Sequence, residues 1–372
     1  MESEEYPAEV ILEAIDTMAT SQQQSSTPKR PKVILFDIGG VCVISPFQSI
    51  LNYELRLGIP PGWVNYSISR TAPSGFWHRL ETGSIPLDAA FFEGFNRDLH
   101  DPARWEAFYR AQHQARQPSS SSPSSTKDLQ IPPVPQLDGE WLFNDMMTSA
   151  TAPDPWMLPA LKALRASGEY IVAALSNTVI FPPGHPLATW GGGDQGSSTT
   201  TTSTTATSSS TNTSTSSNST DTGNNNIEDF VSNDPLRQLF DVFVSSAHVG
   251  LRKPDPRIYQ LALDRVDAFA RANADTERGQ RAAAALTAAA ALPGNGGGGW
   301  KEGVRADEVV FLDDIGENLK AARAVGFGTI RVPLGRAYEA VEALEGVTGL
   351  RLAGGHPKVP VKPDYGGGRS KI

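Results

Sequence analysis

Five short apolar runs, four of them ending on chemically reactive residues, constrain this chain more than any other feature. The first is Val33-Ile34-Leu35-Phe36, followed by Asp37 and broken by Gly39-Gly40. Tyr170 to Leu175 leads into Ser176-Asn177, Val242 to Val244 into the segment that carries Lys253, and Val309 to Leu312 into Asp313-Asp314. Thr329 to Val332 leads into Pro333. Apolar runs without alternation are what strands covered on both faces need. Helical patterns lie between them: Pro155 to Ala166, stopped by Gly168; Pro256 to Val266; and Glu317 to Val325, capped by Gly326. Strands alternating with helices predict βαβ units with right-handed crossovers, hence an α/β fold on a doubly wound, Rossmann-like parallel sheet.

The stretch 45–149 has a different texture. Leu51 to Leu57, Ser74 to Leu80, Leu87 to Leu99 and Arg104 to Gln114 read as helices rich in aromatics. This is too long for one crossover, so it is expected to form a small helical cap inserted after the first strand. The core then comprises 31–44 and 150–350. Three polar tracts interrupt the plan: 117–136, rich in Ser and Pro; 191–226, almost all Ser, Thr, Gly and Asn; and the alanine- and glycine-rich 273–299. The second offers no apolar surface to bury and is expected to be disordered. Residues 1–30 are expected to form a disordered arm, and 351–372 a flexible tail.

Charge and cysteine content narrow the function. The formal net charge is −9, which argues against a broad nucleic-acid footprint while leaving room for a locally positive pocket. The single cysteine, Cys42, excludes an intrachain disulfide framework and a cysteine-rich zinc site. It sits in an apolar run and reads as a small buried hydrophobe. No signal peptide and no bilayer-spanning stretch are recognisable, so no membrane partner is expected. A cytoplasmic location follows, with the C-terminal Ser370-Lys371-Ile372, close to a Ser-Lys-Leu address, as a peroxisomal alternative.

In a parallel sheet the carboxyl ends of the strands gather at one rim, where open α/β folds bind ligands. Here that rim collects Asp37, Ser176-Asn177, Lys253 and Asp313-Asp314. Three carboxylates side by side repel one another unless a cation lies among them. Oxygen-only donors point to Mg²⁺. Each piece alone has an ordinary reading. A strand-end Asp often caps a helix, Ser-Asn is common turn chemistry, and Asp313-Asp314 could cap the helix near Glu317. Their order on successive strand ends carries the joint reading.

That order resembles the haloacid dehalogenase-like hydrolase superfamily. Val33-Ile-Leu-Phe-Asp37-Ile-Gly-Gly-Val41, Ala174-Leu-Ser176-Asn177, His248-Val-Gly-Leu-Arg-Lys253-Pro-Asp-Pro-Arg-Ile-Tyr259 and Val310-Phe-Leu-Asp313-Asp314-Ile-Gly-Glu-Asn318 are similar to its four motifs. The third and fourth are similar to the subfamily that includes the N-terminal phosphatase domain of soluble epoxide hydrolase. Trp77 to Gly83, with Glu81-Thr82-Gly83, is similar to the cap of that subfamily. No Gly-x-Ser-x-Gly elbow is present, so epoxide hydrolysis by an α/β-hydrolase route is not expected. The resemblance implies that Asp37 attacks the phosphoryl group of a small phosphate monoester and forms an aspartyl-phosphate. It implies that Asp37, the backbone carbonyl of Gly39 and Asp314 hold Mg²⁺, with Asp313 beside them. Lys253 offsets negative charge, and Ser176 and Asn177 hydrogen-bond the phosphoryl oxygens.

One departure stands out. Phosphatases of this superfamily mostly carry a second Asp two positions after the nucleophile, as proton donor to the leaving alcohol, and here that position is Gly39. General acid–base help is worth about 10²–10⁴-fold, so slow turnover is expected. The alternatives are a catalytically weak or inactive binding protein on the same fold, and a 2-haloacid dehalogenase. The latter needs neither the proton donor nor a metal, and the retained Asp313-Asp314 argues against it. Neither the substrate within its class nor the oligomeric state is legible.

Overall fold

The computed structural model describes residues 30–115, 129–188, 234–290 and 299–363. The arm before residue 30, the tract 191–226 and the C-terminal tripeptide lie outside them.

In chain order, β1 (Val33–Phe36) is followed by α1 (Pro46–Arg56), α2 (Trp63–Arg70), α3 (Phe76–Glu81), α4 (Ala89–Leu99), α5 (Pro102–Ala115) and α6 (Gly139–Ser149). Then come α7 (Met157–Ser167), β2 (Ile171–Ser176), β3 (Val242–Ser245), the short α8 (Ser246–Val249), α9 (Pro256–Asn273) and α10 (Glu277–Ala290). β4 (Val309–Asp313), α11 (Gly316–Val325), β5 (Gly328–Arg331) and α12 (Ala337–Thr348) complete the fold.

The five strands form one parallel sheet in the order β3-β2-β1-β4-β5. Alternate residues of β1 enter different cores, as the pleat requires. Ile34 and Phe36 pack on one face with α7 and α12 residues such as Leu161 and Leu344. Val33 and Leu35 pack on the other with α9 and α11 residues such as Ile258 and Leu319. Both faces of β1 are therefore apolar, which is why its sequence shows no alternation. The helices of 46–149 gather around a third core, centred on aromatics such as Trp63, Phe91, Phe95 and Phe143. Val179, Phe181 and Ala188, from the segment after β2, are buried in that same cluster.

Two cap helices were not expected from sequence. α2 reads Trp-Val-Asn-Tyr-Ser-Ile-Ser-Arg, mostly weak helix formers, and its N-cap Gly62 has no side chain to offer. The cap comes from elsewhere: the Glu54 carboxylate accepts from Gly62 N and Val64 N, both at 2.7 Å. α6 starts at Asp138, whose side chain accepts from Trp141 N at 2.9 Å, an N-cap hidden beside the Ser/Pro tract.

The alanine-rich part of 273–299 forms the helix α10, with Ala282 and Leu286 buried one turn apart. One segment is more ordered than expected. Within the supposed flexible tail, residues 351–363 lie against the core. Leu352 is buried, Leu352 N and Ala353 N donate to Glu345 Oε1, Trp156 Nε1 donates to Pro357 O and Val361 N donates to Gly335 O. A single apolar side chain with backbone partners on the core suffices to hold an irregular segment.

Candidate active site

Strand register builds the site. β1 pairs with β2 and β4 so that Phe36 lies opposite Ala174 and Leu312. Asp37, one residue on, therefore stands beside the end of β4, and its N–H donates to Leu312 O at 2.8 Å. One carboxylate oxygen from each of Asp37, Asp313 and Asp314 lies within 4.8 Å of the others.

Lys253 arrives from the loop after α8 and is fully buried. Its Nζ lies 2.7 Å from Asp37 Oδ2 and 2.7 Å from Asp313 Oδ2. Burial disfavours the ammonium, but the Asp313 and Asp37 carboxylates outweigh that and hold its pKa above the ordinary lysine value. Asp37 Oδ1 accepts from Ile38 N at 2.7 Å. Asp313 is saturated: besides Lys253, it accepts from Ile315 N at 2.7 Å and from Asn318 Nδ2 at 3.1 and 3.2 Å. Burial, with repulsion from Asp37, pushes its pKa up to about 7 against the pull of Lys253.

Asp314 is the outlier. Its Oδ1 is shielded from solvent and has no hydrogen-bond partner, and Oδ2 has only Ser45 Oγ at 3.5 Å. Burial, reinforced by Asp313 and Asp37, holds its pKa well above the carboxylate range. Three carboxylates face one ammonium, and one carboxylate oxygen is buried and unsatisfied. That is the condition a divalent cation relieves, and the donors are all oxygen, as Mg²⁺ prefers.

No family model matches the chain. Among curated proteins it is 25% identical over 334 residues to mouse acyl-CoA dehydrogenase family member 10, covering 89% of this chain and 20% of that protein. It is 30% identical over 148 residues to mouse bifunctional epoxide hydrolase 2, covering 38% of this chain and 20% of that protein. The pig bifunctional epoxide hydrolase 2 is 33% identical over 117 residues, covering 32% and 14%. The chain thus spans about a fifth or less of the length of the curated relatives it matches. The chain resembles the haloacid dehalogenase-like hydrolases. The chain is also distantly similar to solved structures. They include a dehalogenase with an intermediate complex (15% identity, TM-score 0.39, 87% of this chain and 99% of that one). Another is a HAD family enzyme from Bacteroides thetaiotaomicron in complex with magnesium and inorganic phosphate (15%, 0.36, 82% and 96%).

All four motifs of the haloacid dehalogenase-like pattern converge on this rim, but not every residue stands as expected. Ser176 is buried and weakly bonded to Asn177 O at 3.4 Å, so its hydroxyl is only lightly engaged. Asn177 was expected on the phosphoryl oxygens. Its amide brackets the Lys253 backbone, accepting from Lys253 N at 2.8 Å and donating to Lys253 O at 3.2 Å. Asp313 was expected beside the metal; it bonds Lys253 and Asn318 and also contributes an oxygen to the three-carboxylate cluster. His248 lies on α8 with Nδ1 2.7 Å from Ser245 Oγ. Sequence reasoning passed over Asn318 and Ser45. Asn318 was visible as the last residue of the fourth motif, and Ser45 as an N-cap before Pro46, where its Oγ accepts from Phe47 N at 3.2 Å.

Proposed function

We propose that this chain is a magnesium-dependent phosphatase of small phosphate monoesters, with Asp37 as nucleophile. The observation that carries the reading is the buried, unpartnered Asp314 Oδ1 beside an Asp37–Lys253–Asp313 bridge. Residues suited to hold Mg²⁺ are Asp37, Asp314 and the Gly39 backbone carbonyl. When bound there, the ion supplies neutralisation of phosphoryl charge.

The chain's own residues do the rest. Ile38 N–H and Lys253 fix the two Asp37 oxygens. One Asp37 oxygen attacks phosphorus, the bond to the leaving alkoxide breaks, and an acyl phosphate on Asp37 results. The alkoxide takes its proton from water, because Gly39 offers none. Water then attacks the phosphorus of the acyl phosphate, releasing inorganic phosphate and regenerating Asp37. Ser176 Oγ is the nearest hydroxyl donor for a phosphoryl oxygen, while Asn177 works through Lys253. Catalysis rests on positioning and charge, and leaving groups of low basicity are favoured.

A metal-free dehalogenase has no use for the Asp314 carboxylate, and a pure binding protein has no use for an ammonium held on the nucleophile. Among the described residues no helix is long and apolar enough to cross a membrane. A screen of aryl and alkyl phosphates with and without Mg²⁺, with Asp37→Asn as the blank, tests the reading. Magnesium-dependent release of phosphate, absent in the blank, is expected. Equal rates in the blank, or none in either, would overturn it.

A further inference from the structure

Arg252 and Lys253 are neighbours that hold different parts of the molecule. Lys253 reaches the carboxylates of the site. Arg252 reaches Glu81 at the C-terminal end of α3, with Nε 2.8 Å and Nη2 2.7 Å from Glu81 Oε2. Both side chains are largely buried, at 22% and 10% exposure, so this is not a solvated surface pair of negligible worth. Two more contacts sit beside it. Ser246 Oγ donates to Glu81 O at 2.6 Å. Gly83, at φ 64°, approaches so closely that a Cβ there would lie 2.2 Å from Ala247 O. The Glu81–Gly83 stretch of the cap therefore lies in backbone contact with α8, immediately before the Lys253 loop. His78, one turn earlier on α3, is buried, and burial and the Arg252 charge depress its pKa to about 4. It stays neutral at ordinary pH and does not compete with Arg252 for Glu81.

The Lys253 loop is thus gripped from two sides. Asn177 brackets the Lys253 backbone from the core, and Glu81 holds Arg252 from the cap. Such a grip has a physical purpose. The ammonium rides on a flexible four-carbon stem, and two carboxylates must be met at once inside a buried site. We propose that Glu81 is a positioning residue. Through Arg252 it fixes the Lys253 loop, so that seating of the cap sets the ammonium between Asp37 and Asp313. Its kinetic consequence rests on the phosphatase reading; the grip itself does not.

The test uses Glu81→Gln, Arg252→Gln and the double variant in the full chain, each first verified as folded by thermal melt, with Glu81→Asp as the charge-retaining control. Two measurements are made. Amide hydrogen exchange over 246–255 is expected to speed up by about tenfold in each Gln variant, the effect of one lost charged hydrogen bond on local opening, while the central strands stay protected. With an aryl phosphate and Mg²⁺, kcat is expected to fall by about tenfold with KM within about twofold, and the double variant to be no worse than the worse single one. Glu81→Asp is expected to recover part of the loss. Unchanged exchange over 246–255, additive losses in the double variant, or an effect confined to KM would overturn the proposal. Should wild type turn over no ester, the phosphatase reading fails and the exchange measurement still decides the grip.

Discussion

A Cβ on Gly40 would lie 2.1 Å from Asp314 Oδ2. Gly40 also adopts φ +76°, in the region that favours glycine. The turn after β1 is therefore glycine for two independent reasons, and one of them is the approach of Asp314. Gly39 is different: its φ is ordinary, and a Cβ there would meet only the Pro46 ring, at 3.7 Å. Gly40→Ala is expected to push Asp314 aside, lower the melting temperature and abolish stabilisation by Mg²⁺. Differential scanning fluorimetry with a magnesium titration checks both effects, and a normal magnesium response would show that Asp314 is not held as described.

The room at Gly39 makes the missing proton donor a practical experiment. Gly39→Asp is expected to fold and to raise turnover of alkyl phosphates more than that of aryl phosphates, because protonation matters most when the departing oxygen is basic. The alkyl-to-aryl ratio of kcat/KM is the measurement. A folded, metal-binding variant with an unchanged ratio would mean that proton transfer to the leaving group is not what limits wild type.

Asp314 should show opposite effects with and without the metal. In metal-free protein Asp314→Asn removes a half-buried carboxylate, one oxygen of which is shielded from solvent, facing two others, and is expected to raise the melting temperature. With saturating Mg²⁺ wild type gains stability and the variant does not, so the two curves should cross. Parallel magnesium responses would place the ion elsewhere.

Lys253→Met takes away the only cation bonded to Asp37 and Asp313 among the described residues. Leaving buried charges uncompensated costs about 3–5 kcal/mol, so a loss of that order is expected in urea unfolding at pH 8. The loss should be smaller at pH 5, where Asp313, already pushed up to about 7, takes a proton. Equal losses at both pH values would mean that the carboxylates do not depend on Lys253 for their charge state.

Glu54 links cap stability to pH. Burial raises its pKa from 4.5 to about 7, against the pull of the Val64 and Gly62 N–H groups. Below pH 4.5 both folded and unfolded chains carry the proton. Between pH 4.5 and 7 the unfolded chain has released it and the folded chain has not, so stability falls as pH rises and levels off above about 7. The fall is on the order of 3 kcal/mol. Glu54→Gln has no proton to lose there, so wild type is expected to lose stability relative to it between pH 5 and pH 8 in denaturant titrations. A constant difference would show that Glu54 is ionised throughout.

The core strands and the rim residues were legible because burial on both faces leaves an uninterrupted apolar run, and the residue just past each run is placed by the strand itself. Asp37, Asp313 and Asp314 could thus be named as neighbours without a structure, whereas Lys253 lies eight residues past β3 and was named from its motif. The helices α2 and α6 were not legible. The first is capped by Glu54 from another helix, a donor–acceptor match that leaves no trace in the local pattern.

What the sequence by itself determined is the set of strands, the polar residues at their ends and the glycine at position 39, since all of these are written in neighbouring residues. What only the tertiary structure decided is which side chain serves which partner. Asn177 holds the Lys253 backbone, Asp313 is saturated while Asp314 Oδ1 is left without a partner, and Glu81 meets Arg252 across the cap. Those pairings join residues up to 171 positions apart. Local periodicity records which face of an element is buried, whereas a hydrogen bond between distant residues depends on register and packing that form only when the chain is folded.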